Sequence, residues 1–185
     1  MNAFLLLEKY FPDPAALAIV REHSLLVAAK ALEVAQALDR TDIDLEFIEE
    51  AALLHDVGVC RTDSSHIGCT GSEPYIRHGI IGRELLEAEG LFRHALVCER
   101  HIGVGLTAED VRIQKLPLPE RDMTPVSLEE RIICFADLFF SKRPQTVRRE
   151  KPVPEVRKGL LRFGAEKAGM FDDWLREFGE RIICP

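Results

Sequence analysis

The spacing of apolar residues constrains this chain most, because it follows a helical period along nearly the whole sequence. Between Pro14 and Leu38 the apolar residues recur every three or four positions, and the same period returns in each later segment that is rich in apolar residues. No segment shows the convincing alternation of apolar and polar residues that a half-buried strand requires. The sequence therefore predicts an all-α protein, in which Asp13 and Asp44 are the expected caps at the starts of the first two long helices.

The helices are expected to form one domain, a helical bundle that spans residues 1–185. Its core is predicted over about residues 14–142. The basic and proline-bearing segment 144–154 predicts a surface linker, and a C-terminal helical extension follows over about residues 154–184. We expect the two helices of this extension to be separated at Gly169.

Composition excludes several classes of partner. The net charge of -7 argues against nucleic-acid polymers and membrane surfaces, because both bind basic faces. No stretch approaches the ~20 apolar residues of a membrane-spanning helix. The apolar segment Phe4–Leu7 lacks the basic lead of a signal peptide, so it is expected to pack on its own domain or against a second copy in a homodimer. Five cysteines, none in a CxxC spacing, favour a reducing cytoplasmic location.

A polar pair directly follows an apolar helical segment at residues 51–54. The run Ala-Ala-Leu-Leu leads into His55 and Asp56, and Gly58 comes two residues later. Polar side chains at the edge of an interior need partners, since burying one unpaired costs roughly 2–7 kcal/mol. A metal ion is a suitable partner, because imidazole is a common neutral ligand and a carboxylate can bridge two ions.

Four further polar residues lie on or beside apolar faces, namely His23, His78, His101 and Asp137. Each has a simple explanation when it is considered alone: a hydrogen-bonded core histidine, a surface histidine, a histidine at a helix C-terminus, and a carboxylate paired with an arginine. Asp137 is the most demanding, because it lies inside the apolar run Ile132–Phe140. One dinuclear metal centre would satisfy all six polar groups.

The order of these residues, H…HD…H…H…D, resembles the signature of the HD-domain superfamily of metal-dependent phosphohydrolases. The words Ala52-Leu-Leu-His-Asp-Val-Gly, His78-Gly-Ile-Ile-Gly and His101-Ile-Gly-Val-Gly are similar to those of a small HDIG-type subgroup whose substrate is unassigned. The likeness covers about residues 20–142 and implies a helical bundle of the HD-domain type.

The resemblance implies two divalent transition-metal ions. His23, His55, Asp56 and Asp137 would hold the first ion, and Asp56 would bridge to a second ion held by His78 and His101. Nitrogen and oxygen ligands without thiolate suit Fe, Mn, Zn, Ni or Co. The implied activity is hydrolysis of a phosphate ester or anhydride in a small, nucleotide-like molecule, with a metal-bridged hydroxide as nucleophile.

The chain departs from several family branches at Val59, where they have a lysine that reaches the substrate. Candidate residues for binding the substrate phosphate in its place are Arg61, Lys142 and Arg143. His66, in the segment 61–74 that we expect to be a mobile loop, is a candidate proton donor to the leaving group. The candidate catalytic residues are therefore Asp56, Arg61 and His66. Solvated surface charge is the simpler explanation for the basic residues.

Two other functions are compatible with the same ligand pattern. Mixed-valent di-iron oxygenases of the superfamily share the six metal residues but cleave C–C or C–P bonds with dioxygen. A non-enzymatic sensor of nucleotide or metal is the third hypothesis, and the intact ligand set argues against it. The residues around the substrate, rather than the metal ligands, separate these functions.

Overall fold

The computed structural model describes residues 2–179, and the regular secondary structure of this part of the chain is helical apart from one small two-stranded sheet. Its nine α-helices are α1 Ala3–Tyr10, α2 Pro14–Ala37, α3 Leu45–Leu54, α4 His78–Ala88, α5 Phe92–Arg100, α6 Ala108–Ile113, α7 Leu128–Asp137, α8 Val153–Leu160 and α9 Ala165–Trp174. Short 3-10 helices cover Val57–Arg61, Ser65–Ile67 and Tyr75–Arg77, and a π-helical turn covers Leu175–Gly179. The predicted all-α fold is confirmed.

Side-chain caps begin the two helices that frame the first part of the chain. The Asp13 carboxylate accepts a hydrogen bond from the backbone N–H of Ala16, and Pro14 occupies the first position of α2. The Asp44 carboxylate accepts the N–H of Phe47 at the start of α3 in the same way. Both helix starts agree with the sequence prediction, because a cap depends only on residues close together in the chain.

Helix α2 lies at the centre of the fold and packs against α3 and α7, while α4 packs against α5 and the 3-10 helix Val57–Arg61. The side chains of Val20, Val27 and Val34 point into the core and are fully buried. Leu7 of α1 is buried in the same core, so the apolar N-terminal segment packs on its own domain. Burial of each such side chain stabilises the fold by about 1.5–3 kcal/mol.

Residues 61–74, which were expected to form a mobile loop, contain two short paired strands. Strand β1, Asp63–Ser64, pairs with the antiparallel strand β2, Cys69–Thr70, and Gly68 turns the chain between them with φ 85°. Thr62 and Ser64 are buried and their hydroxyl groups hydrogen bond to each other at 2.9 Å. The sequence analysis missed these short elements because local polar contacts produce no apolar period, and the mobility expected of the segment stays a prediction.

The two C-terminal helices separate at Gly164 rather than at the predicted Gly169. Gly164 has φ 139°, a backbone conformation that other residues rarely adopt, whereas Gly169 lies inside α9. The part of the predicted extension beyond residue 179 lies outside the described residues. No helix among residues 2–179 is long and apolar enough to cross a membrane.

Candidate metal centre

Six side chains from five helical segments meet in the interior. They are His23 from the middle of α2, His55 and Asp56 directly after α3, His78 at the start of α4, His101 directly after α5, and Asp137 at the end of α7. His23, His55 and Asp56 are fully inaccessible to solvent, and the Asp137 carboxylate is the most accessible of the six side chains at 17%. The sequence prediction of their convergence is reproduced in the geometry.

The first half of the centre consists of His23, His55, Asp137 and one oxygen of Asp56. His23 Nε2 lies 3.0 Å from Asp137 Oδ1 and 3.2 Å from Asp56 Oδ2. His55 Nε2 lies 3.1 Å from the same Asp56 oxygen and 3.3 Å from His23 Nε2. Atoms bound about 2.1 Å from one ion are about 3.0 Å apart in an octahedral site and about 3.4 Å apart in a tetrahedral site. The observed spacing fits one ion.

The second half consists of His78, His101 and the other oxygen of Asp56. The two Nε2 atoms lie 3.1 Å apart, and each lies 3.5 Å from Asp56 Oδ1. This spacing also suits a single ion. The two oxygens of Asp56 thus face different halves, which is the arrangement that a bridging carboxylate requires.

Three of the histidines are oriented by the same backbone contact. The Nδ1 atoms of His55, His78 and His101 lie 2.6, 2.7 and 2.8 Å from the carbonyl oxygen three residues earlier, and each donates its hydrogen to that oxygen. For His55 and His101 these carbonyls belong to the last turn of a helix, where they lack helical partners. The contact turns each Nε2 atom toward the centre, which is the orientation that a metal ligand requires.

Glycines let the backbones that carry these residues approach closely. A Cβ atom on Gly58 would lie 2.0 Å from the carbonyl oxygen of His78 and 2.4 Å from the nitrogen of Gly82. A Cβ atom on Gly79 would lie 2.7 Å from the carbonyl oxygen of Cys98. The turn after Asp56 therefore touches α4, and α4 touches α5, only because these positions have no side chain.

Buried polar atoms in the cluster lack conventional partners. Among the described residues, the two Asp56 oxygens and the Nδ1 atom of His23 have no hydrogen-bond partner of acceptable geometry. The charge of buried Asp56 is met within the chain by the Lys142 ammonium, which lies 2.5 Å from Oδ2 only, and burial of a carboxylate with poorly satisfied oxygens is costly. The donor set, its spacing and these unsatisfied atoms together fit a bound divalent cation. Two groups of three residues could hold one: the first is His23, His55 and Asp137, and the second is His55, Asp56 and His101.

The pKa values of His55 in the first half and His78 in the second half are shifted in opposite directions. Burial alone lowers the pKa of His55, but the charges of Asp56 and Asp137 outweigh it and raise that pKa to about 10. Burial and the neighbouring His101 lower the pKa of His78 to about 3. Burial raises the pKa of Asp56, but Lys142 and His55 outweigh it and hold that pKa well below its usual range.

Lys142 reaches into the first half. Its Nζ atom lies 2.5 Å from Asp56 Oδ2 and 3.3 Å from His23 Nε2. The sequence reasoning missed Tyr75. The hydroxyl of Tyr75 is an electrostatic neighbour of the Lys142 ammonium, and the Tyr75 ring lies 4.6 Å from the ring of His78. The only sequence signal for Tyr75 is its position three residues before His78. From this position the backbone carbonyl oxygen of Tyr75 accepts the hydrogen of His78 Nδ1.

The remaining predicted residues lie further out. His66 and Arg143 are both exposed and line one polar cavity of about 340 Å³. Arg61 is exposed, and its described electrostatic neighbours are Tyr10 and Cys60 rather than any of the six clustered residues. Their roles, like the ligand roles of the six, stay predictions.

The fold and the cluster define a class of protein that a comparison with known families identifies. A sequence model of the HD domain matches residues 20–140, and the chain belongs to the HD domain family. An uncharacterized protein of Methanocaldococcus jannaschii is 38% identical over 129 residues, which cover 67% of this chain and 69% of that protein. No solved structure was found to match the chain.

Two tRNA (cytidine(56)-2'-O)-methyltransferases are also similar to the chain. The protein of Thermoplasma volcanium is 30% identical over 149 residues, and that of Picrophilus torridus is 35% identical over 99 residues. These alignments cover 80% and 53% of this chain but only 40% and 25% of the two methyltransferases. The likeness therefore concerns a part of each methyltransferase.

Proposed function

We propose that this protein is a metal-dependent phosphohydrolase that acts on a phosphate ester or anhydride of a small, nucleotide-like molecule. One observation carries the proposal: four histidine Nε2 atoms and two carboxylates meet in an arrangement in which neighbouring ligand atoms are 3.0–3.5 Å apart. Membership of the HD domain family supports it, because the family consists mostly of metal-dependent phosphohydrolases.

The two halves would each hold one divalent ion, with Asp56 as the shared ligand. Ions bound there supply a water of lowered pKa and neutralise charge on the phosphoryl oxygens. The protein contributes the fixed positions of the ligands through the backbone contacts of His55, His78 and His101. Asp56 faces both halves, so it acts as a ligand and not as a general base.

The residues after α7 would bind the substrate phosphate. Lys142 lies at the first half, and the next residue, Arg143, lines the polar cavity with His66. An ammonium and a guanidinium placed one residue apart can bind two phosphate oxygens or two adjacent phosphates. His66, on the other wall of this cavity, is the proposed proton donor to the leaving group. The volume of about 340 Å³ lies within the range of small-molecule sites.

The methyltransferases point to a relation with tRNA, but their names describe proteins of which this chain matches only a part. The net charge of -7 opposes binding of a long polyanion, because such binding depends on neutralising many phosphates. We therefore propose a small-molecule substrate and no nucleic-acid polymer partner.

The test is phosphate release from a panel of substrates by protein loaded with Mn, Fe, Co, Ni or Zn. The panel contains nucleoside mono-, di- and triphosphates, 2',3'-cyclic nucleotides and tRNA. We expect hydrolysis of at least one small nucleotide, with two ions bound per chain by elemental analysis. The variant Asp56→Asn should lose both ions and at least about a thousandfold in rate, because it weakens the ligand shared by both halves.

A matched variant and a second assay separate the alternatives. Asp39→Asn changes an exposed aspartate outside the cluster and should keep metal content and rate. Consumption of dioxygen by iron-loaded protein without phosphate release would favour the oxygenase hypothesis. Tight nucleotide binding with no turnover under any metal would favour the sensor hypothesis. Folded protein that binds no divalent ion would overturn the hydrolase and oxygenase hypotheses.

A further inference from the structure

Lys142 places a cation of the protein itself inside the first half of the metal centre. Its ammonium contacts Asp56 Oδ2 at 2.5 Å and His23 Nε2 at 3.3 Å, and only 12% of the side chain is accessible to solvent. Both contacted atoms are among those expected to bind the first metal ion. An ion bound about 2.1 Å from them would share the region that the ammonium fills.

The ammonium and the metal ion cannot both keep these contacts. They have charges of the same sign, and the repulsion between them is strong where water is excluded. Asp56 Oδ2 would also have to bind three partners with the lone pairs of one oxygen. These partners are the Lys142 ammonium, the metal ion and His55 Nε2, which lies 3.1 Å away. One cation has to leave when the other arrives.

The backbone before Lys142 is held in place, whereas the Lys142 side chain has rotational freedom. Lys151 donates hydrogen bonds to the carbonyl oxygens of Leu138 and Phe140, which fixes the backbone just before Lys142. Lys142 itself follows α7 in an irregular segment, and its long side chain has several rotatable bonds.

We propose that Lys142 and the first metal ion are alternative partners of Asp56, so that metal binding displaces the ammonium from the first half and makes it available to an anionic substrate group. The exchange itself depends only on the metal centre. The delivery of the ammonium to a phosphate rests on the proposed function. The chain would in this way acquire its phosphate-binding lysine only when the metal is in place.

The first experiment measures Mn²⁺ affinity by calorimetry for the wild type, Lys142→Met and Lys142→Gln. Both variants remove the competing cation, and we expect the first Mn²⁺ to bind at least tenfold more tightly. Lys158→Met, which changes an exposed lysine of α8, should bind as the wild type does. A lysine that only supported the fold would give weaker binding on removal, so equal or weaker affinity in both folded variants would overturn the exchange.

The second experiment follows the accessibility of Lys142 by reaction with an amine-specific reagent and mass spectrometry of the whole chain. Addition of Mn²⁺ should raise the labelling of Lys142 severalfold and leave that of Lys158 unchanged. Unchanged labelling of Lys142 at saturating Mn²⁺ would overturn the displacement.

Failure of this inference and failure of the proposed function give different results. Mn²⁺ binding with no difference between the wild type and Lys142→Met would overturn the exchange and leave hydrolysis open. Exchange without phosphate release from any substrate would overturn the hydrolase proposal alone. Absence of Mn²⁺ binding in the folded wild type and both Lys142 variants would overturn both.

Discussion

The two halves of the candidate metal centre share Asp56 but are built differently. The first half has two carboxylates, a histidine whose pKa is raised to about 10, and the Lys142 ammonium 2.5 Å from Asp56. The second half has two imidazoles and one oxygen of Asp56, and the pKa of His78 is lowered to about 3. The first half therefore attracts cations of several kinds, whereas the second half offers neutral nitrogens and depends on the shared carboxylate.

This difference predicts unequal tolerance to the loss of one histidine. His101→Gln leaves the second half with His78 and one Asp56 oxygen, so we expect loss of the second ion, with affinity reduced at least about 100-fold. His23→Gln leaves three ligands in the first half, so the first ion should bind only about tenfold more weakly. Elemental analysis and calorimetry with Mn²⁺ measure both effects.

His94→Gln is the matched control, because His94 lies outside the cluster and contacts Glu50 and Phe47. It should keep both ions. If His101→Gln kept two ions and His23→Gln lost both, the first half would be the less tolerant of the two, which would contradict this prediction.

A second prediction concerns the backbone contact that joins the halves. Gly58→Ala would place a methyl group 2.0 Å from the His78 carbonyl oxygen, which is backbone and cannot turn aside. We expect a loss of about 1–3 kcal/mol in the free energy of unfolding, as for overpacked cores. Because the displaced atoms belong to His78, the affinity for the second ion should fall more than that for the first.

Gly169→Ala is the control for this substitution. A Cβ atom there meets nothing within 4 Å, and Gly169 lies inside α9. The variant should be unchanged or more stable by about 0.5–1 kcal/mol, since alanine favours a helix more than glycine does. Thermal unfolding measures both variants, and equal stability of Gly58→Ala and Gly169→Ala would contradict the close approach.

Sequence reasoning found the parts of this molecule that depend on short distances along the chain. The helical period of Val20, Val27 and Val34 and the cap at Asp13 are local, and both predicted structure correctly. The family resemblance supplied the order of the six polar residues, and their convergence in space agrees with it. Their role as ligands stays a prediction.

The features that sequence reasoning missed depend on how distant segments meet. The contact of Lys142 with Asp56 is set by packing between segments that are far apart in the chain. Lys142 was predicted to bind substrate phosphate, but no local pattern indicates that its ammonium lies against a predicted metal ligand. Gly58 was recognised only as a residue that follows a helix, because a close approach to α4 leaves no trace in periodicity.

The opposite pKa shifts predict a pH dependence of stability when metal is removed with a chelator. His55 holds its proton more tightly in the folded state, so its stabilising contribution is full below its unfolded pKa near 6.5 and is lost as pH rises through about 10. His78 is neutral in the folded state, so its contribution is full above about 6.5 and is lost as pH falls toward about 3.

Melting temperatures between pH 5 and pH 9 in excess chelator measure both effects. His55→Gln should flatten the loss of stability on the alkaline side, and His78→Gln should flatten the loss on the acidic side. Each kcal/mol corresponds to about 2–4 °C in a chain of this size. The same flattening on the same side in both variants would show that the two halves do not differ as the structure indicates.

The smallest expected effect tests on which side of the centre the substrate binds. Arg143 follows Lys142 at the first half and lines the polar cavity with His66. Arg143→Ala should raise KM for the phosphorylated substrate about 1.4- to 5-fold, because an exposed charge contributes about 0.2–1 kcal/mol, while kcat and both metal affinities stay the same. Arg148→Ala removes an exposed arginine of the same segment that pairs with Glu22 and should leave KM unchanged. Steady-state kinetics at saturating metal measures both variants. A lower metal affinity in Arg143→Ala, or equal changes of KM in the two, would mean that the anionic group of the substrate does not approach from the first half.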